Sequence, residues 1–334
     1  MTNPSLPLVH ELIRSACSAP SVHNTQPWSW RVLDTTTIEL YADRSRQLHA
    51  TDPRGRDLAI SCGAGLHHLT VAAKAFGLLG EVSLLPSHED EELLARVHLA
   101  GGHIETESVV ATLTALENRL TDRRGFSTWE VPTERLQHLC DAATEWGAHA
   151  SPITDPWARH LAEELLQRAR LAQAADPRIT EEQATWTDRL GPDSIDGIPA
   201  GNSVPPHRPG SANPPSRFDP VRTPSPTVAH AVKDMEVEHT DGLVAICTER
   251  DNLRAWLHAG QAMSAVWLRA VLGGFSVTAA SQVIEVESTR RRLHRDLFSY
   301  VGRPQILLRI GWPEVSRPAL PHTPRRSLED VLRP

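Results

Sequence analysis

Residues 19–28 concentrate hydrogen-bonding side chains in one short segment, Ala-Pro-Ser-Val-His-Asn-Thr-Gln-Pro-Trp. Hydroxyl, imidazole and amide groups can donate and accept hydrogen bonds, and the two prolines keep the segment out of a helix. Such a loop suits a flat ligand that is bound along a polar edge. An ordinary helix-to-strand turn is the alternative interpretation of the same residue types. The candidate ligand-binding side chains in this loop are Ser21, His23 and Asn24.

Seven fixed positions in this segment resemble the flavin-contacting signature of the nitroreductase family. The pattern is Ala19-Pro-Ser-x-x-Asn-x-Gln-Pro-Trp28. The resemblance implies that the chain binds FMN on an α+β fold. It also implies an active site between two subunits of an intimate homodimer, in which each subunit lends residues to both flavins.

Hydrophobic periodicity predicts the elements that must position this loop. Val9, Leu12, Ile13 and Ala16 share one face of a helix before it, and a strand follows at residues 29–33. Further strands are predicted at residues 37–41, 80–85, 94–99, 242–247, 275–279 and 304–311. Further helices are predicted at residues 58–77, 157–175, 253–273 and 282–297.

The same order of elements occurs twice along the chain. Helices 58–77 and 253–273 are both rich in Gly and Ala, and each precedes a glycine turn and a strand. We therefore predict an α+β, nitroreductase-like fold of two fused units that form a pseudo-dimer. Residues 1–108 form the first unit and residues 109–334 the second, with a Pro-rich insertion at 176–227. Because fusion supplies the family's dimer interface within one chain, we expect a monomer.

The two units have lost complementary parts of the family pattern. The family opens each unit with Arg-x-Ser-x-Lys or Arg-x-Ser-x-Arg, which holds the flavin phosphate. Only the second unit carries this opening, as Arg119-x-Thr121-x-Arg123. The second unit's counterpart of the polar loop, residues 147–152, lacks the Asn-x-Gln-Pro-Trp part. The resemblance thus implies one complete FMN site per chain, built from both units.

The resemblance also assigns roles to individual residues. An FMN phosphate is a dianion that guanidinium groups can bind through two hydrogen bonds. The expected phosphate-binding residues are Arg119, Thr121, Arg123 and, in the C-terminal segment, Arg325 and Arg326. Ser21, His23 and Asn24 are expected at the carbonyl and N3 edge of the flavin ring, and Ala280 and Ser281 near its N5 atom. Gln26 and Trp28 are expected to brace the loop. No catalytic side chain is expected, because the flavin carries the redox chemistry.

The Pro-rich insertion is predicted to be a lid over the flavin. Ten of the 26 prolines lie between Pro192 and Pro226, which argues against a regular helix or a central strand. The insertion nevertheless carries large apolar side chains that are costly to leave in water, namely Trp186, Ile195, Ile198 and Phe218. Docking on the exposed flavin face would exclude nicotinamide. A flexible surface insertion is the alternative.

Composition excludes several other classes of protein. The 334-residue chain has a net charge of -7, which argues against nucleic acid held by bulk electrostatics. No apolar run of about 18 residues predicts a membrane span, and no signal peptide is evident, so we expect a cytoplasmic protein. The four cysteines and 17 histidines show no metal-ligand spacing. Buried free thiols and the absence of a bound metal are therefore expected.

The sequence leaves three functions open. The first is an oxidoreductase in which NAD(P)H reduces FMN and the flavin then reduces a nitro or quinone-type acceptor. The second is FMN storage or sequestration, because the resemblance is closest to the Acg-type branch of the family. The shared features include the fused halves, Ser281-Gln-Val-Ile-Glu285 and Thr323-Pro-Arg-Arg326. The third is a tailoring oxidase or dehydrogenase that acts on a biosynthetic intermediate.

Overall fold

The computed structural model describes residues 3–102, 106–187, 194–199, 202, 241–299, 301–315 and 318–334. In that part of the chain the first half contains α1 (Leu6–Cys17), β1 (Trp28–Asp34), β2 (Thr37–Ala42), α2 (Arg56–Ala75), β3 (Leu79–Leu84) and β4 (Leu93–Leu99). The helices α3 (Thr106–Asn118), α4 (Thr133–Cys140), α5 (Pro156–Ala174) and α6 (Pro177–Trp186) follow, with β5 (His149–Pro152) between α4 and α5. The remaining elements are β6 (Gly242–Thr248), α7 (Leu253–Leu272), β7 (Ser276–Ala280), α8 (Gln282–Glu285), α9 (Glu287–Asp296), β8 (Arg303–Gly311) and α10 (Leu328–Val331).

Two four-stranded antiparallel sheets confirm the predicted α+β fold and its duplication. The strand order is β1-β2-β4-β3 in one sheet and β5-β6-β8-β7 in the other, so the same order recurs within each half. β6 is buried along its whole length and β8 along all but its first residue. Burial on both faces explains why β6 is a continuous apolar run rather than an alternating one, whereas β8 also buries Gln305 and Arg309.

The long helices α2 and α7 cross at two glycines. A Cβ atom on Gly63 would overlap the backbone carbonyl of Leu257, and one on Gly260 would overlap that of Ile60. The imidazole Nδ1 of His67 lies 2.8 Å from Ser264 Oγ, a pair that is 197 residues apart. The residue numbers of Gly63 and Gly260 also differ by 197, as do those of Ile60 and Leu257. Equivalent positions on the two helices therefore differ by a constant 197 residues, as expected if a local two-fold axis relates the two halves.

Two local predictions were wrong. Residues 176–227 were expected to lack a helix, but α6 occupies the start of this insertion. Asp176 caps α6 by accepting the Arg178 N–H, and Pro177 occupies the first turn, where proline is tolerated. The predicted helix 282–297 is interrupted at Val286, whose backbone is extended (φ -85°, ψ 113°). The unit boundary at residues 108 and 109 stays a prediction.

The residues that the structure describes also bear on membranes, metals and disulfides. Within them, none of the helices combines the length and the apolar character that a membrane crossing requires. The same residues contain no cluster of three His, Cys, Asp or Glu side chains that could hold a metal ion. All four cysteines are free and buried.

We predict that Gly260→Ala destabilises the protein by about 1–3 kcal/mol, because the new methyl group meets rigid backbone rather than a flexible side chain. Urea unfolding followed by circular dichroism measures the change. Gly65→Ala on α2 is the matched control, since its added Cβ would lie 3.5 Å from Trp28, an ordinary contact. Equal stability of the two variants would contradict the tight crossing.

Candidate functional site

A cavity of about 100 Å³ lies between the two halves and opens to solvent. Five of the predicted site residues line it, namely Ser21, His23, Thr121, Arg123 and Ser281. The first half supplies the polar loop and the first turns of α2, and the second half supplies α7 and the end of β7. The structure therefore brings residues of both halves to a single site.

The polar loop is held in a strained backbone conformation. His23, Asn24 and Gln26 have positive φ angles of 44°, 55° and 49°. Such angles are uncommon for residues with a side chain and persist only where the surroundings enforce them. Ser21 Oγ accepts the backbone N–H of Gln26 at 3.0 Å, which closes the loop on itself. The loop is therefore preorganised, as a ligand-contacting segment needs to be.

Asn24 joins the loop to two distant segments. Its side-chain amide donates to Gly197 O at 2.9 Å and to Pro324 O at 3.0 Å, and its carbonyl oxygen accepts from Arg325 Nη1 at 2.9 Å. Asn24 is buried and does not line the cavity. The structure thus places it behind the cavity wall, where it fixes the positions of the loop, the tail and part of the insertion.

Arg119 and Arg325 bring positive charge together beside the loop. Arg119 is buried, and its Nη2 donates to Ser18 O at 3.2 Å, the same carbonyl that accepts from Arg325 Nη2 at 3.2 Å. Arg119 Nε and Nη1 and Arg325 Nε are buried and have no hydrogen-bond partner among the described residues. Burial, followed by the charges of Arg325 and Arg123, lowers the pKa of Arg119 to about 9. Burial likewise lowers the pKa of Arg325 to about 10. This concentration of like charge is what an anion would neutralise.

Two other predicted site residues lie away from the cavity. Arg326 contacts the base of the polar loop: its backbone N–H donates to Gln26 Oε1 at 2.8 Å, and its guanidinium lies 3.3 Å from Asp43 Oδ2. Arg326 therefore braces the loop in this structure. Ala280 is buried in the core of the second sheet with Leu243 and Leu307. Its strand neighbour Ala279 lines the cavity instead, because successive side chains of β7 point to opposite faces.

The described part of the insertion docks against the polar loop. Gln26 Nε2 donates to Ile195 O at 2.9 Å, and Gly197 N donates to Asn24 O at 3.3 Å. Ile198 is 1% exposed and lines the cavity. Asp196 forms an ion pair with Arg46. Residues 188–193, 200–201 and 203–227 of the predicted lid, Phe218 included, lie outside the described residues.

Helix α6 also docks close to the site. The Glu182 carboxylate accepts the backbone N–H groups of Ala50 and Thr51, both at 2.9 Å. Gln183 from the same helix lines the cavity. The guanidinium of Arg46 lies 5.4 Å from the centre of the Trp186 ring, a cation–π distance. Glu182 and Trp186 thus hold α6 against the first half of the chain.

Sequence reasoning missed much of the cavity wall. Asp57 in the first turn of α2 has the pattern of an ordinary helix N-terminal acid, and Gln173 has no motif. Glu285 ends the Ser281-Gln-Val-Ile-Glu285 motif, but the resemblance assigned it no role at the site. Their proximity depends on the packing of α2, α5 and α8, which local patterns do not report. The missed lining residues are Asp57, Ile60, Ser61, Gln173, Gln183, Met263, Trp267, Gln282, Glu285 and Ile306.

His23 is kept neutral at the cavity wall. Its Nδ1 is buried and has no hydrogen-bond partner among the described residues. Burial, with a further contribution from the charge of Arg123, lowers the pKa of His23 to about 4, and Glu182 opposes this shift. A neutral imidazole can both donate and accept a hydrogen bond, so His23 can contact a polar ring edge near neutral pH.

In the other half, the position equivalent to the cavity residue Ser61 is closely packed. The residue equivalent to Ser61 is His258, because these two residue numbers also differ by 197. A Cβ atom on Gly147 would lie 2.9 Å from the His258 ring, and Trp146 stacks edge-on against His67 at 4.5 Å. These contacts are consistent with a single site per chain.

Fold and site together define an α+β pseudo-dimer with a cavity that residues of both halves line. No protein-family model matches the chain. A Mycobacterium tuberculosis H37Rv protein, provisionally named NAD(P)H nitroreductase Rv3131, is 33% identical over 333 residues, which cover 98% of this chain and 92% of that protein. The M. tuberculosis protein acg, provisionally named in the same way, is 31% identical over 97% of this chain and 95% of its own length. The chain belongs to the nitroreductase family.

Two solved structures show weaker likeness. A Bacteroides fragilis nitroreductase with bound FMN is 13% identical with a TM-score of 0.37, over 63% of this chain and 92% of its own. The FMN-dependent nitroreductase NfnB of Mycobacterium smegmatis, in complex with NADPH, is 12% identical with a TM-score of 0.43, over 67% of this chain and 97% of its own. At these TM-scores neither structure carries an argument about this chain.

We predict that Asn24→Ala destabilises the protein by roughly 3 kcal/mol, because three hydrogen bonds, one of them to a charged group, are lost together. Thermal and urea unfolding measure the effect, and limited proteolysis should show faster cleavage within residues 194–199. Asn118→Ala, at the exposed end of α3, is the matched control. A loss no larger than that of the control would mean that Asn24 does not hold the three segments together.

We predict that His23 makes the protein sensitive to acid. Its folded-state pKa of about 4 lies below the ordinary value of 6.5, so between these values only the unfolded chain binds the proton. Stability should therefore fall as the pH drops from 6.5 towards 4, by roughly 2 kcal/mol at pH 5 for this residue. Urea unfolding at pH 7 and pH 5 should show a smaller loss in His23→Asn, a change that tolerates the positive φ. The exposed His88→Asn should behave like the parent protein.

Proposed function

We propose that the protein is an FMN-dependent oxidoreductase that takes electrons from NAD(P)H and reduces nitro or quinone-type acceptors. The names of its M. tuberculosis relatives support this proposal. So does a cavity built from both halves, which carries part of the family's flavin-contacting loop. FMN bound there would supply hydride-transfer chemistry, and the chain's own residues would bind and orient it.

The observation that carries the proposal is the buried positive charge beside the polar loop. Three guanidinium nitrogens of Arg119 and Arg325 are buried without a partner among the described residues, and such groups destabilise a protein unless an anion pairs with them. The phosphate of FMN is a dianion with several acceptor oxygens and fits this need. Arg119 and Arg325 would hold it, with Arg123 and the Thr121 hydroxyl at the cavity wall.

The rest of the cavity suits a flavin ring. Ser21 and the neutral His23 offer polar groups for a ring edge, whereas Ile60, Met263 and Trp267 provide apolar walls. Apolar walls exclude water, and an aromatic ring can stack against them. The small Ala279 and the hydroxyl of Ser281 leave room at the opposite end, where an acceptor could approach.

A second candidate function is FMN storage or sequestration. The observation that favours it is the docking of residues 195–198 on the polar loop, with Ile198 in the cavity wall. If this segment stays docked, it limits the space for a nicotinamide ring, which must stack on the flavin to transfer hydride.

Anaerobic mixing with NADPH separates the two candidate functions. Rapid bleaching of the flavin supports the reductase, and slow bleaching that Ile198→Gly accelerates supports sequestration.

We further propose that the protein works as a monomer in the cytoplasm. The crossing of α2 and α7 joins the two halves within one chain, where the family uses two subunits. The four buried free thiols suit a reducing compartment. Light scattering at micromolar concentration tests the monomer, and a stable dimer would refute it.

We predict that the purified protein releases about one FMN per chain on heating, and that Arg119→Met weakens FMN binding roughly 10- to 150-fold. This range corresponds to losing one charge-assisted contact of about 1.5–3 kcal/mol. The same change should stabilise the flavin-free protein, because it removes a buried cation. Flavin fluorescence titration and thermal unfolding measure the two effects. Arg168→Met, at an exposed residue of α5 that pairs with Glu164, is the control and should change neither.

A further inference from the structure

Two carboxyl groups face the cavity from opposite halves of the chain. Asp57 lies in the first turn of α2, and Glu285 is the last residue of α8. Both line the cavity, whose neighbouring walls include Ile60 and Met263. Acidic groups in a partly apolar cavity serve neither the phosphate nor the packing of the core, so their function needs an explanation.

Asp57 has an unused hydrogen-bond acceptor in the cavity wall. The residue is 5% exposed, and its Oδ1 accepts from Arg56 Nε at 3.2 Å. Its Oδ2 is buried and has no hydrogen-bond partner among the described residues. A buried carboxylate oxygen without a donor is costly, and a ligand or a proton that reaches it would lower this cost.

Glu285 is held in place by its neighbours. Gln173 from α5, which is 3% exposed, donates its side-chain N–H to Glu285 Oε2. Arg56 Nη1 donates to the backbone carbonyl of Ile284 at 3.2 Å, which places the guanidinium beside both cavity carboxyls. Glu285 is thus fixed at the cavity wall.

Charge balance in this cluster favours a bound proton. Three carboxyl groups, Asp52, Asp57 and Glu285, surround the single guanidinium of Arg56. Burial, followed by the charge of Asp57, raises the pKa of Asp52 to about 8, although its two oxygens accept backbone N–H groups of Arg56 and Leu58 at 2.8 and 2.9 Å. Burial, followed by the charge of Asp57, raises the pKa of Glu285 to about 7. Like charges in a shared site cannot all ionise together, so one proton stays in the cluster.

We propose that Asp57 and Glu285 form a proton-sharing carboxyl pair that selects uncharged acceptors by donating a hydrogen bond to a carbonyl- or nitro-type oxygen of the ligand. The choice of acceptor rests on the proposed reductase function, whereas the carboxyl pair itself does not. An anionic acceptor is disfavoured, because the cluster around Arg56 already carries excess negative charge. Binding of a neutral acceptor weakens as the pH rises through 7 and the shared proton is lost.

Carbon-13 NMR of the full-length protein, labelled at its glutamate side-chain carboxyls, tests the pair directly. One signal should titrate near pH 7, disappear in Glu285→Gln and move at least about one pH unit lower in Asp57→Asn, since removing a neighbouring negative charge eases ionisation. The exposed Glu287→Gln, two residues away, should leave it unchanged. Titration of Glu285 in the ordinary range, or no response to Asp57→Asn, overturns the pair. Because flavin-free protein can be used, this result does not depend on FMN binding.

Acceptor binding to the oxidised FMN-loaded protein tests the selectivity without turnover. The probes are a neutral naphthoquinone and its sulfonated anion, and the perturbation of the flavin absorbance gives each Kd. The neutral quinone should bind at least about tenfold more tightly at pH 6, and its Kd should rise through pH 7 in the parent protein. Glu285→Gln should bind it with little pH dependence, because the amide donates a hydrogen bond at every pH. Equal affinities for the two quinones, or the same pH profile in Glu285→Gln, would refute the proposal.

Discussion

The close crossing of α2 and α7 is the constraint on which the rest of the molecule depends. Two glycines let the backbones meet, so that Gly63 and Gly260 leave no room for a methyl group. The crossing buries a shared core that includes residues of both sheets. It also sets the start of α2 opposite the middle of α7, and the cavity forms where these two faces diverge. A looser crossing would separate the two halves of the site.

Two clusters of buried charge, one positive and one mainly negative, lie near the cavity. Beside the polar loop, Arg119 and Arg325 are buried with unpaired nitrogens. At the wall formed by α2 and α8, three carboxyl groups share one guanidinium. Each arrangement is costly for an empty protein and favourable with the right partner, which is an anion in the first case and a proton or hydrogen-bond donor in the second. Sites that bind ligands commonly accept such a cost in stability.

The strained loop shows how this cost is supported. Three residues with positive φ would be unstable in isolation. Gln26 holds the loop to Ile195 and Arg326, while Asn24 holds it to Gly197 and Pro324. The C-terminal tail and the described part of the insertion are therefore structural components of the site. Any opening of the insertion must break these hydrogen bonds, which couples access to the cavity with the shape of the loop.

Local patterns in the sequence were sufficient for most of the helices and strands, for the duplication and for the polar loop. Apolar periodicity and Gly/Ala content respond to burial close along the chain, so α2, α7 and most strands were predictable. Tertiary structure alone decided that Arg326 braces the loop, that Asn24 lies behind the cavity wall, and that Asp57 and Glu285 line the same cavity. These outcomes depend on contacts between residues hundreds of positions apart, which no local motif reports. The packing of α2 against α7 and of α5 against α8 creates the burial that changes the chemistry of these residues.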